Sequence, residues 1–242
     1  MTGSLRIIRN RRMDPVWNMA VDEVLAEAQR TPSAAPTLRF YSWERPAVTI
    51  GYFQSTVTAA KVFDADRLGL DVVRRLTGGG AVLHGEDLTF SLTLKVPNPY
   101  FPPNVKDSYL KINEVVRLAL KPFYPLMDYA DCRTVSSQTA RQKERICFDA
   151  PSCYDLLLEG KKVLGASQRR LGEVFLHQSS LMLPDPDGAI ERSLIDGFCG
   201  KWRLKAVEED LTEEEIRSAG RVIERRYASD EWFRHAKAGV SP

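Results

Sequence analysis

Residues 74 to 91 read RRLTGGGAVLHGEDLTFS, and the fold is read outward from them. A lead of strand character, Asp71-Val72-Val73, runs into Arg74 and Arg75, then Gly78, Gly79 and Gly80, then Ala81-Val82-Leu83 and His84. Glycines have no Cβ, so they accept φ > 0 and let a ligand lie directly against the backbone. Leu88-Thr89-Phe90-Ser91-Leu92-Thr93-Leu94 then alternates apolar and hydroxyl residues at the period of a half-buried strand. Strand, glycine platform, polar corner and strand again predict one wall of a small-molecule pocket. The run lacks the Gly-Lys-Ser/Thr ending of a phosphate loop and the G-x-G-x-x-G opening of a dinucleotide site.

The chain around it has 242 residues, 43% of them apolar, and a net charge of +2. That suits one sizeable domain spanning residues 1–242. It contains no run of about 18 apolar residues that would span a bilayer. Met1-Thr2-Gly3-Ser4 passes straight into Leu5-Arg6-Ile7-Ile8 without the apolar core of a secretory signal. Cys132, Cys147, Cys153 and Cys199 form no C-x-x-C pair, and the three histidines lie far apart. No metal site is therefore expected, and free thiols in a cytoplasmic protein are the default. The near-neutral charge argues against a nucleic-acid partner. Between Arg133 and Arg170, however, eight basic residues face four acidic ones, which suits an acidic protein partner.

Upstream, Asp14-Pro15 predicts a capped helix start. Trp17, Ala20, Val21, Val24, Leu25 and Ala28 then recur at helical spacing, so the helix packs one apolar stripe on a sheet. Leu38 to Tyr41 and Ala47 to Gly51 read as strands around a Glu44-Arg45-Pro46 turn, and Val57 to Leu68 as a helix. Downstream, Pro97 to Asn104 is a loop. Tyr109, Ile112, Val116, Leu120 and Phe123 mark a helix that Pro122 and Pro125 end or bend. Met127 to Ile146 reads as a long surface loop. Cys147 to Leu183 has turn signals at Glu159-Gly160 and Leu171-Gly172, which predict a three-stranded antiparallel meander. Thr212-x-x-Glu215 is a capping box before a last helix with Ile216, Ala219, Ile223 and Tyr227 inward.

Two of these segments resemble one family. RRLTGGGAVLHGEDLTFS is similar to the pattern RR-x-[ST]-GGGAV-x-H-x-x-[DN]-L-x-[FY]-S of the lipoate–protein ligase A and octanoyltransferase family. Every element of that pattern is present, from Arg74, Arg75, Thr77 and Gly78 to Val82, through His84 and Asp87, to Ser91. GKKVLGASQRR followed by FLHQSSLML, which contains Lys162, Gly165 and Ala166, resembles the family's second signature. His177-Gln178-Ser179 departs from the HGS usual there. The resemblance implies the catalytic-domain fold of biotin and lipoate protein ligases, an α+β fold with a mixed, largely antiparallel sheet flanked by helices. It also implies that the glycine segment lines a slot for a lipoyl or octanoyl chain.

The family divides by chemistry. A free carboxylate must be activated, commonly as an adenylate from ATP and magnesium. A carrier-protein thioester is already activated and exchanges with an enzyme thiol at similar energy. Cys147, in CFDAPS, stands where cysteine-dependent octanoyltransferases carry the acyl-accepting thiol. The length leaves little room for the further C-terminal domain of typical lipoate ligases. The resemblance thus implies transfer without a cofactor, from octanoyl-acyl carrier protein, through Cys147, to the lysine of a lipoyl domain or glycine-cleavage H protein.

A cysteine of ordinary pKa, near 8.5, is only a few per cent thiolate at neutral pH. Lys162 is the expected helper, at the thiolate or at the thioester oxyanion. Arg74 and Arg75 are candidates to hold a phosphate of the pantetheine arm or of an adenylate. His84 either orients the glycine turn or approaches the substrate carbonyl. Thr77, Gly78, Gly79, Gly80, Gly165 and Ala166 complete the expected substrate-binding set, and Cys153 is assigned to packing. Three alternatives stay open: a small ATP-dependent lipoate ligase, an octanoyl amidotransferase between lipoyl domains, and a non-catalytic acyl-binding protein.

Overall fold

A computed structural model describes residues 3–56, 63–98, 101–102, 104–135, 146–149 and 151–234. Strand β1 (Ser4–Met13) leads to Asp14, whose carboxylate accepts from the N–H groups of Val16 at 2.8 Å and Trp17 at 3.2 Å. This caps α1 (Pro15–Ala28) as the Asp-Pro pair predicts. β2 (Thr37–Trp43), β3 (Ala47–Ile50), a short α2 (Ala65–Leu68), β4 (Asp71–Arg74), β5 (Val82–His84) and β6 (Leu88–Lys95) follow. Next come α3 (Val105–Leu120), β7 (Asp128–Tyr129), α4 (Cys132–Val135), β8 (Leu156–Leu158), β9 (Lys161–Lys162), β10 (Leu164–Leu171) and β11 (Val174–Leu181). α5 (Ala189–Trp202), β12 (Lys205–Glu208), α6 (Glu213–Val222) with a π-helical extension over Ile223–Tyr227, and α7 (Asp230–Arg234) complete the order.

Six strands form the main sheet in the order β10-β11-β6-β2-β1-β12. The β2-β1 and β1-β12 pairs are parallel and the other three are antiparallel, the mixed, largely antiparallel sheet expected. Helices α3 and α5 cover one face, where Ile112, Val116, Leu194 and Phe198 pack with Phe40, Phe90 and Phe175. On the other face, Met19, Val21 and Leu25 of α1 pack with Tyr41, Trp43 and Ala219 of α6. A smaller sheet, β4-β3-β5, carries the two arms of the glycine segment, and β7-β8-β9 forms a third.

Several expectations change. α1 buries more than one stripe, because Asn18 and Asp22 also turn inward to meet the fully buried Arg39. The meander exists but is split: β8 and β9 belong to the third sheet, β10 and β11 to the main one. Of the Val57–Leu68 helix only Ala65–Leu68 is seen, and residues 57–62 lie outside the described residues. The loop of residues 127–146 contains β7 and α4, while Arg141, Lys143 and Arg145 lie outside the described residues. Cys153 sits in a turn rather than a strand and is disulfide-bonded, so free thiols do not hold throughout; Cys147 and Cys199 are free. The Thr212–Glu215 capping box is formed. Among the described residues no helix is long and apolar enough to cross a membrane.

Candidate active site

The site begins with one short bridge. Ile146 pairs with Ala81, and the Cys147 N–H donates to the Ala81 carbonyl at 2.8 Å. The segment carrying the thiol is thereby fastened to the end of the glycine run. Its other side rests on β10 at Gly165. A Cβ built there would lie 3.0 Å from the Cys147 Sγ and 2.8 Å from the Phe148 ring. Only glycine admits this approach.

Lys162 reaches the same point from β9. Its Nζ donates to the Cys147 carbonyl at 2.7 Å, stands 3.5 Å from the Cys147 Sγ, and pairs with Asp155 at 2.7 Å. Both side chains of the pair are nearly enclosed, at 4% and 7% exposure. Burial raises the Asp155 carboxyl above its usual range, against the opposing pull of Lys162. The Ser152 N–H also donates to this carboxylate at 2.6 Å. Lys162 is thereby placed to donate to the Cys147 sulfur or to an oxygen that develops beside it.

The predicted residues then divide. Arg75 ties the glycine loop to β3 and also lines the narrow cavity beside Cys147. Its guanidinium donates to the carbonyls of Thr49 (3.1 Å), Gly78 (2.6 Å) and Gly80 (2.7 Å), and to the hydroxyls of Thr49 and Thr77. Burial pushes its pKa down, and Cys147 is the largest electrostatic influence in the other direction. Arg74, expected in the substrate-binding set, is held by the chain's own backbone. It is buried with its donors on the carbonyls of Gly51, Tyr52, Gln54, Trp232 and Phe233. That guanidinium ties the loop after β3 to α7 and lines neither cavity described below.

Thr77 hydrogen-bonds Ser167 and donates to the Gln178 side-chain Oε1, both at 2.7 Å, pinning the loop to the main sheet. His84 is clamped as well. Its ring nitrogens meet Thr49 and Asp87, each at 2.8 Å, and its ring stacks on Trp43 at 4.1 Å. His177 points to the opposite face, where burial pushes its pKa down to about 3.

Two cavities meet at Cys147. A narrow one of about 30 Å³ lies between the main sheet and β4-β3-β5, lined by Gly165, Ala166, Ser180, Thr89, Trp43 and Met19. It holds about two waters at most. A wider one of about 430 Å³ opens on the other side of the sulfur, walled by Gly79, Gly80, Tyr109 and Ala166, with Asp155, Lys162 and Lys106. Gly78 contributes its carbonyl to Arg75 rather than a wall. The thiol thus sits between a slot and a channel.

Asp155 and Gln178 escaped the sequence reading. The signal for Asp155 was present: the Glu159-Gly160 turn sets Leu157 opposite Lys162, so Asp155, two residues before Leu157, shares the lysine's face. Gln178 takes the slot-facing position on β11 and links Thr77 to Asp22 at 2.7 Å on each side. No local pattern tells which of His177 and Gln178 faces inward, because a one-residue shift reverses them.

The model of the lipoyl protein ligase A/B catalytic domain matches residues 14–199. Octanoyltransferase LipM of Brevibacillus brevis is 30% identical over 272 aligned positions, covering 94% of this chain and 97% of that protein. Octanoyltransferase LipM of Carboxydothermus hydrogenoformans is 39% identical over 166, covering 69% and 60%. A solved lipoate-protein ligase A bound with ATP superposes with a TM-score of 0.77 at 21% identity, covering 98% of this chain and all of that one. The bi-partite lipoate protein ligase of Thermoplasma acidophilum gives 0.72 at 20%, covering 99% of both. At those identities the structural likeness establishes the fold.

Proposed function

The chain belongs to the lipoyl protein ligase A/B catalytic domain family, and on that premise we propose that it is an octanoyltransferase of lipoate biosynthesis. It takes octanoate from octanoyl-acyl carrier protein onto Cys147 and passes it to the lysine of a lipoyl domain or glycine-cleavage H protein. The observation that carries this reading is the free Cys147 thiol, 3.5 Å from the enclosed Lys162 ammonium at the junction of slot and channel. A ligase that activates its acid as an adenylate has no use for a thiol there.

The chemistry divides into two exchanges. The Cys147 thiolate attacks the donor thioester, the carbonyl–sulfur bond to pantetheine breaks, and the leaving sulfur takes the proton that Cys147 gave up. Lys162 stabilises the thiolate first and then faces the oxyanion that forms beside it. Octanoate now hangs from Cys147 into the slot, whose ligand-free volume requires side chains to move. Met19 is the flexible one among them. In the second exchange the acceptor amine attacks, the amide forms, and the amine's proton ends on the departing Cys147 sulfur. Asp155, paired with Lys162 at 2.7 Å, holds it in place through both.

The test is transfer without nucleotide. With magnesium chelated, octanoyl groups should pass from octanoyl-acyl carrier protein to an apo lipoyl domain. Modification only from free octanoate or lipoate with ATP would replace this reading with that of a ligase. Faster transfer from an octanoylated lipoyl domain than from the carrier protein would make the chain an amidotransferase.

A further inference from the structure

We propose that the wider cavity is the channel for the donor's phosphopantetheine arm, with Lys106 at its rim as the phosphate anchor. This rests on the octanoyltransferase reading and adds the residue that recognises the donor. Arg74 and Arg75 are excluded from that task, since their N–H groups are spent on the chain's own carbonyls and hydroxyls. Another cation has to meet the phosphate.

The cavity is graded in depth. Cys147, Lys162 and Asp155 form its floor, and the last two are almost sealed from solvent. Lys106 and Ser152 are exposed at its rim. The floor is electrically balanced, because Lys162 and Asp155 neutralise each other at 2.7 Å. The rim is not. Among the described residues no carboxylate lies within ion-pair distance of Lys106. The neighbouring Asp107 is engaged instead by Asn104, whose side-chain amide donates to it at 2.6 Å. Lys106 Nζ stands 5.5 Å from the centre of the Tyr154 ring, which steadies a cation at the rim without neutralising it.

The ligand this arrangement fits carries a thioester at one end, an anion at the other, and a slim polar chain between. The thioester must reach Cys147 on the floor. The anion must stop at Lys106. The same cavity is also lined by Gly79, Gly80, Tyr109 and Tyr154, residue types that accommodate amides and methylene groups. Phosphopantetheine has that order of groups. The acceptor lysine then enters the same channel after the arm has left, so donor and acceptor exclude one another.

Calorimetric titration with phosphopantetheine and with pantetheine, which lacks the phosphate, tests the anchor without requiring turnover. The unmodified protein should bind the phosphorylated form about tenfold more tightly, the scale of one charge-assisted contact. Lys106→Ala should bring the two affinities together, and Lys106→Arg should keep most of the difference. An unchanged preference in Lys106→Ala overturns the anchor. The two sources of such an arm are separated by measuring acyl-enzyme formation from octanoyl-acyl carrier protein and from octanoyl-coenzyme A. Loss in Lys106→Ala with the carrier thioester assigns the channel to the carrier's arm, and loss confined to the coenzyme A thioester assigns it to the free cofactor. Absence of acyl-enzyme from either donor, with the phosphate preference still abolished in Lys106→Ala, would sink the transferase reading and leave the anchor standing.

Discussion

Lys162 reaches the Asp155 carboxylate, the Cys147 carbonyl and the Cys147 sulfur, and stands over the Phe148 ring. A lysine in a two-residue strand looks like a surface residue in sequence. Its burial comes from the hairpin register and from the chain segment folded over it, neither of which is local. The thiol and the lysine were legible from their signatures, whereas their partner Asp155 required the cross-strand geometry. Lys162→Ala should slow transfer about 10²–10³-fold, the usual cost of removing one such donor. It should also cost about 3–5 kcal/mol of stability, because it strands a buried carboxylate. Lys162→Ala combined with Asp155→Ala should recover much of that stability but none of the rate. Thermal unfolding and steady-state kinetics on the three variants check both halves. Recovery of rate in the double variant would make the pair structural only.

The glycine segment and the strand beneath it show why elements differ in legibility. α1, the α6 capping box and the β10–β11 hairpin carry local signals, a cap, a paired Thr and Glu, and a Leu-Gly turn. β1, β12 and α5 do not. β1 pairs in parallel with β12, whose residues are some 200 positions away in the chain, and no turn announces such a partner. α5 has an inward stripe of Ile190, Leu194, Phe198 and Trp202, but Gly197 and Gly200 dilute its helical propensity. The structure explains Gly197: a Cβ there would lie 3.2 Å from Val115 on α3, so the glycine permits a close helix crossing. Gly165 plays the same part on β10. Gly165→Ala should push Cys147 and Phe148 from their positions, and acyl-enzyme formation should fall at least about tenfold while circular dichroism stays unchanged, since a shift of about 1 Å in a reacting group is costly. Acyl-enzyme formation at the unmodified rate would show that the thiol does not depend on this contact.

At the scale of the molecule, buried polar groups make the fold acid-labile. His177 is wholly buried and its pKa is pushed down to about 3, against about 6.5 in an unfolded chain. Between those values the unfolded state binds more protons, so stability is full above about pH 6.5 and declines as pH falls toward 3. Asp87 adds to this at lower pH. Burial raises its carboxyl, but the charge and hydrogen bond of His84 with the bonds from Ser180 and Gly85 outweigh it, and the net shift is well below the usual range. Its contribution is complete above about pH 4 and is lost as pH falls further. Melting temperatures followed from pH 7 to 3 should therefore fall once the pH passes below about 6.5, and His177→Asn should flatten the upper part of that fall; an unaltered profile would remove His177 as its cause. None of this was legible beforehand, because the sequence gives no sign of which histidine the sheet encloses. Passage of the octanoyl group through Cys147 is read by intact-protein mass spectrometry after incubation with octanoyl-acyl carrier protein, without nucleotide and with magnesium chelated. The expected result is a single octanoyl adduct that peptide mapping under acid places on Cys147 and that Cys147→Ser abolishes. An adduct elsewhere, or full transfer activity in Cys147→Ser, would contradict it.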